Sequence, residues 1–218
     1  MALALGPELL GKVAFVGGCT TGLHLTDDLA KEGVRHTMDV DLIVPVIGAV
    51  EWISLQHELR KRGFIDDIVG ESPVCAMKLG ELRVDFMPDD ADVLGFGNRW
   101  YREALSTAIS VQLMATHIRL VSPVYFLATK FEAYKGRGDG DLLASQDVED
   151  VLTIFNGRRE IVDEVLAASP ELLDYLRREV ATLLGHPDID YAVQSASGGD
   201  PGVAGVIYER LESVLGAG

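Results

Sequence analysis

The first half of the chain contains short stretches in which apolar and polar residues alternate, the pattern of half-buried β-strands. The stretch from Thr37 to Val44 alternates in this way before it becomes a β-branched run, and so does the stretch from Glu81 to Met87. Side chains two positions apart on a strand share a face, so each stretch predicts one apolar and one polar strand face. The apolar run from Val13 to Val16 predicts a short buried strand. Further strands are predicted at 64–65, 73–79, 109–115 and 117–121, with a hairpin turn at 78–81.

Apolar residues at helical spacing characterise much of the remaining chain. Helices are predicted at 23–32, 48–62, 98–108, from 122 onwards, and at 145–156, 158–168, 170–184 and 201–215, with loops at 136–145 and 186–200. Ser122 followed by Pro123 is a typical helix start, and Asp200 is expected to cap the last helix. The chain is therefore predicted to contain an α/β core in about residues 1–120 and a helical region in 121–218.

Three acidic residues, Asp39, Asp41 and Asp85, lie on the polar faces of two predicted strands. If those strands are neighbours, the carboxylates converge, and like charges so close resist joint burial unless a cation neutralises them. Magnesium prefers a few carboxylate oxygens together with waters and substrate phosphates. Two such ions about 3.5 to 4 Å apart can hold the attacking and leaving oxygens of a phosphoryl transfer. The pattern predicts a Mg²⁺ or Mn²⁺ site for that chemistry, although acids on an ordinary surface strand produce the same motif.

A glycine pair, Gly17-Gly18, follows the predicted strand at 13–16 and precedes a predicted helix. Glycine lets the backbone turn sharply and approach a ligand closely, and the first N–H groups of a helix can bind an anion. Thr20 is placed to cap that helix or to contact a phosphate. A Gly-Gly turn alone is common, but together with the three acids it indicates a nucleoside triphosphate as the substrate. His36 is the histidine nearest to this chemistry.

The order of these features resembles the polymerase-beta-type nucleotidyltransferase superfamily. The shared features are Gly17-Gly18, a helix, the segment from Arg35 to Asp41, and the strand acid Asp85. A later segment is similar to the lysine and aspartate motifs of the AbiEii/MenT-like branch, the nucleotidyltransferase toxins of type IV toxin–antitoxin systems. That segment comprises Ser122 to Ala133, Arg137, and Asp147 to Val151. The resemblance covers about residues 10–160, and it implies a mixed sheet with flanking helices, followed by a helical region that closes the cleft.

The resemblance also implies roles for individual residues. They are nucleotide binding by Gly17, Gly18 and Lys130, metal binding by Asp39, Asp41 and Asp85, and catalysis by these three acids with Lys130 and Asp147. Thr20 and Arg35, which lie beside these motifs in the sequence, are further candidates for nucleotide binding. Many relatives have a lysine directly before the aspartate that aligns with Asp147, where this chain has Gln146. That departure weakens an inference about the substrate and leaves the metal site unaffected.

The acidic composition limits the classes of partner. The 19 Lys and Arg residues against 34 Asp and Glu residues give a net charge of −15, which argues against an extended DNA-binding surface, because nucleic acid binding depends on cationic neutralisation of phosphates. No apolar run approaches the roughly 18 to 20 residues that span a bilayer, and the N-terminus lacks the basic segment of a signal peptide, so a cytoplasmic protein without membrane contact is expected. Cys19 and Cys75 form no disulfide framework or zinc motif and are expected to be small buried residues.

The acceptor of the transferred nucleotide stays open at this stage. The resemblance suggests a tRNA end or a protein side chain, and a cognate antitoxin protein as partner. A small-molecule acceptor, as in the related enzymes that nucleotidylate aminoglycoside or lincosamide antibiotics, is an alternative. An additional carboxylate near the acceptor pocket, such as Asp147 or Asp150, would favour it. A third hypothesis is a non-catalytic module that binds a partner protein through its acidic surface, although the intact set of three acids argues against it.

Overall fold

The computed structural model describes residues 1–35, 37, 39–46, 48–67, 74–137 and 140–216. Within these ranges the strands are β1 Ala14–Val16, β2 Asp39–Val44, β3 Ile65–Asp66, β4 Ala76–Leu79, β5 Leu82–Pro88, β6 Ile109–Leu113 and β7 Thr116–Leu120. The α-helices are α1 Ala2–Leu10, α2 Thr21–His24, α3 Asp28–Glu32, α4 Gly48–Lys61, α5 Tyr101–Ser106, α6 Pro123–Arg137, α7 Gln146–Gly157, α8 Ile161–Leu166, α9 Pro170–Leu184, α10 Ile189–Ala196 and α11 Pro201–Leu215. Two short 3-10 helices cover Gly18–Thr20 and Ala91–Val93.

The seven strands form a single mixed sheet in the order β3-β4-β5-β2-β1-β7-β6. β2 pairs in parallel with β5 and antiparallel with β1, and β1 pairs in parallel with β7. The remaining neighbours pair antiparallel, including β4 with β5, which meet through a turn at Gly80. The predicted fold class, an α/β mixed sheet with flanking helices followed by a helical C-terminal region, is confirmed.

The apolar faces of β2 and β5 fix the position of these two strands. Leu42, Val44, Val84 and Phe86 are all buried in one core cluster, where the Phe86 ring packs edge-on against Phe64 with 5.4 Å between ring centroids. Full burial of each such side chain stabilises a fold by about 1.5–3 kcal/mol. A slip of one residue would turn these side chains out of the core. The core therefore determines which face of the two strands carries the acids.

The chain divides into two compact units. The first comprises Met1–Thr20 and His36–Tyr125 and contains the whole sheet, and the second comprises Thr21–Arg35 and Phe126–Gly218. The segment that precedes the acid-bearing strand thus belongs to the helical unit. The division at residue 120 inferred from the sequence stays a prediction, because compactness alone does not make a unit an independently folding domain.

The second unit is built on helices whose starts follow the sequence signals. Ser145 caps α7 by accepting a hydrogen bond from the Val148 N–H, and Asp200 caps α11 in the same way. The prediction of one helix over 23–32 is wrong, because Asp27 caps a new helix, α3, and so separates it from α2. The prediction of a loop over 186–200 is also wrong, since α10 lies within it.

Helix α10 forms because three apolar residues at helical spacing, Ile189, Ala192 and Val193, are buried in the second unit. No helix in the described part of the chain combines the length and the apolar character needed to cross a membrane.

Candidate active site

Four charged residues lie together on the face of β2 and β5 that points away from the core cluster. Asp39 and Asp41 share that face of β2, and the parallel register places Asp39 opposite Arg83 and Asp41 opposite Asp85. The two strands are thus neighbours, and the structure places Asp41 beside Asp85, whereas Asp39 lies two positions earlier on β2, beside Arg83. Asp39 is exposed at the start of its strand, while Asp41 is partly buried. The group carries three negative charges and one positive charge.

Gly17 follows the last residue of β1 and lies against the Asp41 side chain. The register pairs Val16 with Asp41, and Gly17 has a positive φ of 81°. A Cβ atom on Gly17 would lie 1.9 Å from Oδ2 of Asp41 and 2.9 Å from its Cβ, far inside the 3.5–4.0 Å or so at which carbon atoms pack. The Asp41 side chain therefore packs directly on the glycine backbone, and no residue with a side chain fits there without displacing it.

Thr20 secures the turn that starts at Gly17. Its hydroxyl donates to the Gly17 carbonyl at 2.8 Å and its backbone N–H donates to the same oxygen at 3.0 Å. The side chain is 1% exposed, so the hydroxyl proton is committed to the backbone. Gly18 begins the 3-10 helix that follows. A contact of Gly18 or Thr20 with a phosphate stays a prediction. His36 and Met38, beside the acidic strand, lie outside the described residues.

Arg83 binds Asp85 through both of its oxygens. Nε lies 3.0 Å from Oδ1 and Nη2 lies 3.1 Å from Oδ2. The hydrogen bond to Asp85 raises the pKa of the Arg83 guanidinium, so the guanidinium stays charged. Cys75, buried in the core of the first unit, has its thiol pKa raised to about 12 by burial and by the nearby charge of Asp85. It is therefore a thiol and not a thiolate at neutral pH.

The donor set fits a magnesium ion that shares its ligands with a substrate. In the described ranges, no three His, Cys, Asp or Glu side chains are gathered closely enough to hold a metal ion by themselves. Asp41 and Asp85 are nevertheless side by side in register. Magnesium is usually bound by one or two carboxylates and completes its six ligands with waters and phosphate oxygens. A two-carboxylate site beside Gly17 meets that requirement, whereas an all-protein cage is absent from the described chain.

A second charged cluster lies in the helical unit, around Lys130 of α6. The Lys130 ammonium lies 3.0 Å from Oδ1 of Asp147 and 2.6 Å from Oδ2 of Asp150, and all three side chains are buried. Burial of a charge is tolerated when it is paired and hydrogen-bonded. The spacing of the two aspartates along α7 brings both to one ammonium.

The two aspartates of this cluster have further partners. Arg137 donates to Asp147 at 2.7 Å. The Thr21 hydroxyl donates to Asp150 at 3.0 Å, and the Arg35 guanidinium lies 3.6 Å from the same carboxylate. Lys130, Asp147 and Arg35 thus form one ion-pair network within the second unit. Their contacts with nucleotide or phosphate stay predictions, since the Lys130 ammonium already donates a hydrogen bond to Asp147 and forms an ion pair with Asp150.

The chain is similar in fold to a crystal structure of an antigenic nucleotidyltransferase-like protein from Paracoccidioides brasiliensis. The two share 20% sequence identity, the match covers 87% of this chain and 88% of the other, and the TM-score is 0.49. No protein-family model matches the chain, and no curated protein matches it either.

Sequence reasoning did not identify two of the pairings in these clusters. Arg83 and Asp85 lie two positions apart on one predicted strand, and this period alone indicates a shared face and an ion pair. The bond between Thr21 and Asp150 spans 129 positions of the chain, and no local pattern signals such a contact. The acids on β2 and β5, by contrast, were found from alternation alone.

Proposed function

We propose that this chain is a metal-dependent nucleotidyltransferase, which moves a nucleoside monophosphate from a nucleoside triphosphate to an acceptor hydroxyl. One observation carries the proposal. The Asp41 carboxylate stands in register with Asp85 on the neighbouring strand and packs against the backbone of Gly17. Two carboxylates beside a glycine turn supply the hard oxygen ligands and the close backbone approach that a metal-bound triphosphate needs.

Each residue of the face has a defined task in this proposal. Asp41 and Asp85 would hold Mg²⁺ or Mn²⁺, with Asp39 as the further acid, and the ion would neutralise the triphosphate and lower the pKa of the acceptor hydroxyl. The turn at Gly17-Gly18 lies under the phosphates. The acceptor oxygen forms a bond to the α-phosphorus while the bond to the bridging oxygen breaks, and pyrophosphate leaves with that electron pair. Rate enhancement then comes mainly from positioning and charge neutralisation.

The finer proposal concerns the acceptor. The resemblance to AbiEii/MenT-like toxins supports a tRNA end or a protein side chain as acceptor, with a cognate antitoxin as a partner in a type IV toxin–antitoxin system. The net charge of −15 disfavours broad contact with a large RNA, because an acidic surface repels phosphates. A protein side chain or a short RNA end therefore suits this chain better than a long RNA surface does.

The Arg83–Asp85 ion pair favours a second candidate, a non-catalytic module that binds a partner protein. Arg83 neutralises Asp85, and so removes part of the negative charge that a metal ion would otherwise neutralise. A chain that binds no metal needs a positive side chain of this kind beside its acids. The two candidates differ in one property, the transfer of nucleotide that depends on Asp41.

Purified protein incubated with Mg²⁺ or Mn²⁺ and each of the four α-labelled nucleoside triphosphates, with total RNA added, tests the proposal. Label should appear in RNA or in protein with one or two of the nucleotides, and Asp41→Asn should abolish it. Asp66→Asn is the matched control, because Asp66 is an acid of the same sheet on strand β3, separated from β5 by β4. Transfer that survives Asp41→Asn, or no transfer with any nucleotide and either metal, would exclude the enzyme and favour the module.

A further inference from the structure

Arg83 and a divalent cation would compete for the same atoms. The guanidinium uses both oxygens of Asp85, with Nε at 3.0 Å and Nη2 at 3.1 Å. A metal ion that takes Asp85 as ligand needs at least one of these oxygens. The bidentate arrangement leaves neither oxygen without a guanidinium contact, so binding of the ion must break at least one of the two hydrogen bonds.

The ion pair is not part of the packing that holds the sheet together. Arg83 and Asp85 lie on the polar face of β5, with side-chain exposures of 31% and 16%. The opposite face of the same strand contributes Val84 and Phe86 to the core. The pair can therefore open without disturbing the register of β5. A partly exposed pair of this kind is expected to contribute only modestly to stability.

We propose that Arg83 is the resident counter-ion of Asp85, which a divalent cation displaces when it binds. Before the metal binds, the guanidinium neutralises Asp85 and prevents repulsion between Asp85 and Asp41, its neighbour in register. After displacement, the guanidinium remains on the same face, opposite Asp39, where a phosphate oxygen is its natural partner. Arg83 is thus a positioning residue that sets the metal affinity of the site. This inference rests on the proposed function.

Two substitutions separate displacement from a simple effect of charge. Arg83→Lys keeps the positive charge but replaces the planar fork by a single ammonium, so the bidentate bond is lost. Arg83→Gln removes both the fork and the charge. If the metal has to displace the fork, both variants should bind it more tightly than the unmodified chain. If only local charge matters, Arg83→Lys should behave like the unmodified chain.

Arg60→Gln is the control, because Arg60 binds Asp66 with the same two-bond geometry, at 3.1 and 3.0 Å. Mn²⁺ binding to the full chain is measured by the loss of the electron paramagnetic resonance signal of free Mn²⁺. Arg83→Lys should lower the dissociation constant about threefold and Arg83→Gln about tenfold or more, as expected when a charge-assisted hydrogen bond no longer has to be broken. Arg60→Gln should leave it unchanged.

The same titration with Asp41→Asn separates failure of this inference from failure of the proposed function. Equal Mn²⁺ affinity in the unmodified chain and both Arg83 variants, combined with loss of binding in Asp41→Asn, would overturn the displacement and leave the metal site intact. Tighter binding in Arg83→Gln alone would also overturn it, in favour of a charge effect. Absence of Mn²⁺ binding from the unmodified chain and from every Arg83 variant would overturn both proposals together.

Discussion

Replacing Gly17 by alanine perturbs the contact between the glycine backbone and the Asp41 side chain. The substitution lowers the free energy of unfolding for two separate reasons. At φ +81° a residue with a Cβ is strained by about 1–2 kcal/mol. The new methyl group would also lie 1.9 Å from Oδ2 and 2.9 Å from Cβ of Asp41. Because the Asp41 Cβ is attached to its own strand backbone, a rotation of the carboxylate alone cannot relieve the second contact.

Gly80→Ala is the matched control for this substitution. Gly80 forms the hairpin turn between β4 and β5 with φ +63°, and a Cβ there would have nothing within 4 Å. It therefore carries the backbone strain without the steric contact. Both alanines also reduce the entropy of the unfolded chain by the same amount, which cancels in the comparison. The difference between the two variants isolates the packing of Asp41 on Gly17, expected to be about 1–3 kcal/mol, the usual cost of overpacking.

Urea denaturation followed by circular dichroism gives the free energy of unfolding of each variant, and Mn²⁺ titration gives the metal affinity. Gly17→Ala should be less stable than Gly80→Ala by about 1–3 kcal/mol and should bind Mn²⁺ more weakly, since Asp41 has to move. Gly80→Ala should bind Mn²⁺ like the unmodified chain. Equal stability and equal Mn²⁺ affinity of the two variants would refute the direct packing of Asp41 on the glycine turn.

Three further predictions concern the second unit. Lys130→Met leaves two buried aspartates without their ammonium and should lower the free energy of unfolding, measured with urea, by about 3–5 kcal/mol. Lys135→Met removes a half-exposed ammonium that is also paired with two acids, and it should lower the free energy of unfolding by about 1 kcal/mol or less. Similar losses in the two variants would contradict the burial argument. Burial lowers the pKa of His24 from 6.5 to about 3. Between these pH values His24 is protonated in the unfolded chain but not in the folded chain, so the free energy of unfolding should fall as the pH drops from 6.5 towards 3. His24→Phe should flatten that slope, and an unchanged slope would exclude His24 as its source. Asp200→Ala removes two hydrogen bonds to the first turn of α11 and should lower stability by about 1 kcal/mol, and no change in the urea midpoint would contradict the capping role.

The strand acids could be found from sequence because their positions follow a local rule. Alternation places Asp39 and Asp41 on one face of a strand and Asp85 on the matching face of another. Leu42 and Phe86 are buried in the core, so the acids of the same two strands must lie on the sheet face that points away from it. The hairpin at Gly80 was predictable as well, because a glycine stands between two predicted strands.

Pairings between distant residues could not be found in this way. The resemblance implies nucleotide binding by Lys130, and the structure gives its ammonium two buried aspartates of α7 as ion-pair partners. Which carboxylates reach an ammonium depends on how helices pack, and no local pattern encodes that. Helix α10 was missed because glycine, serine and aspartate around it suggest a loop, while the burial that stabilises it comes from the rest of the unit.

The central claim is that Asp41 and Asp85 hold a divalent cation against a triphosphate beside Gly17. A crystal of the full chain grown with Mn²⁺ and a non-hydrolysable nucleoside triphosphate tests it most directly, through the anomalous scattering of manganese. The account predicts a peak bonded to oxygens of both carboxylates, with the phosphates over the Gly17-Gly18 turn. A crystal with bound nucleotide and no manganese at these carboxylates, or with manganese held elsewhere in the chain, would contradict it.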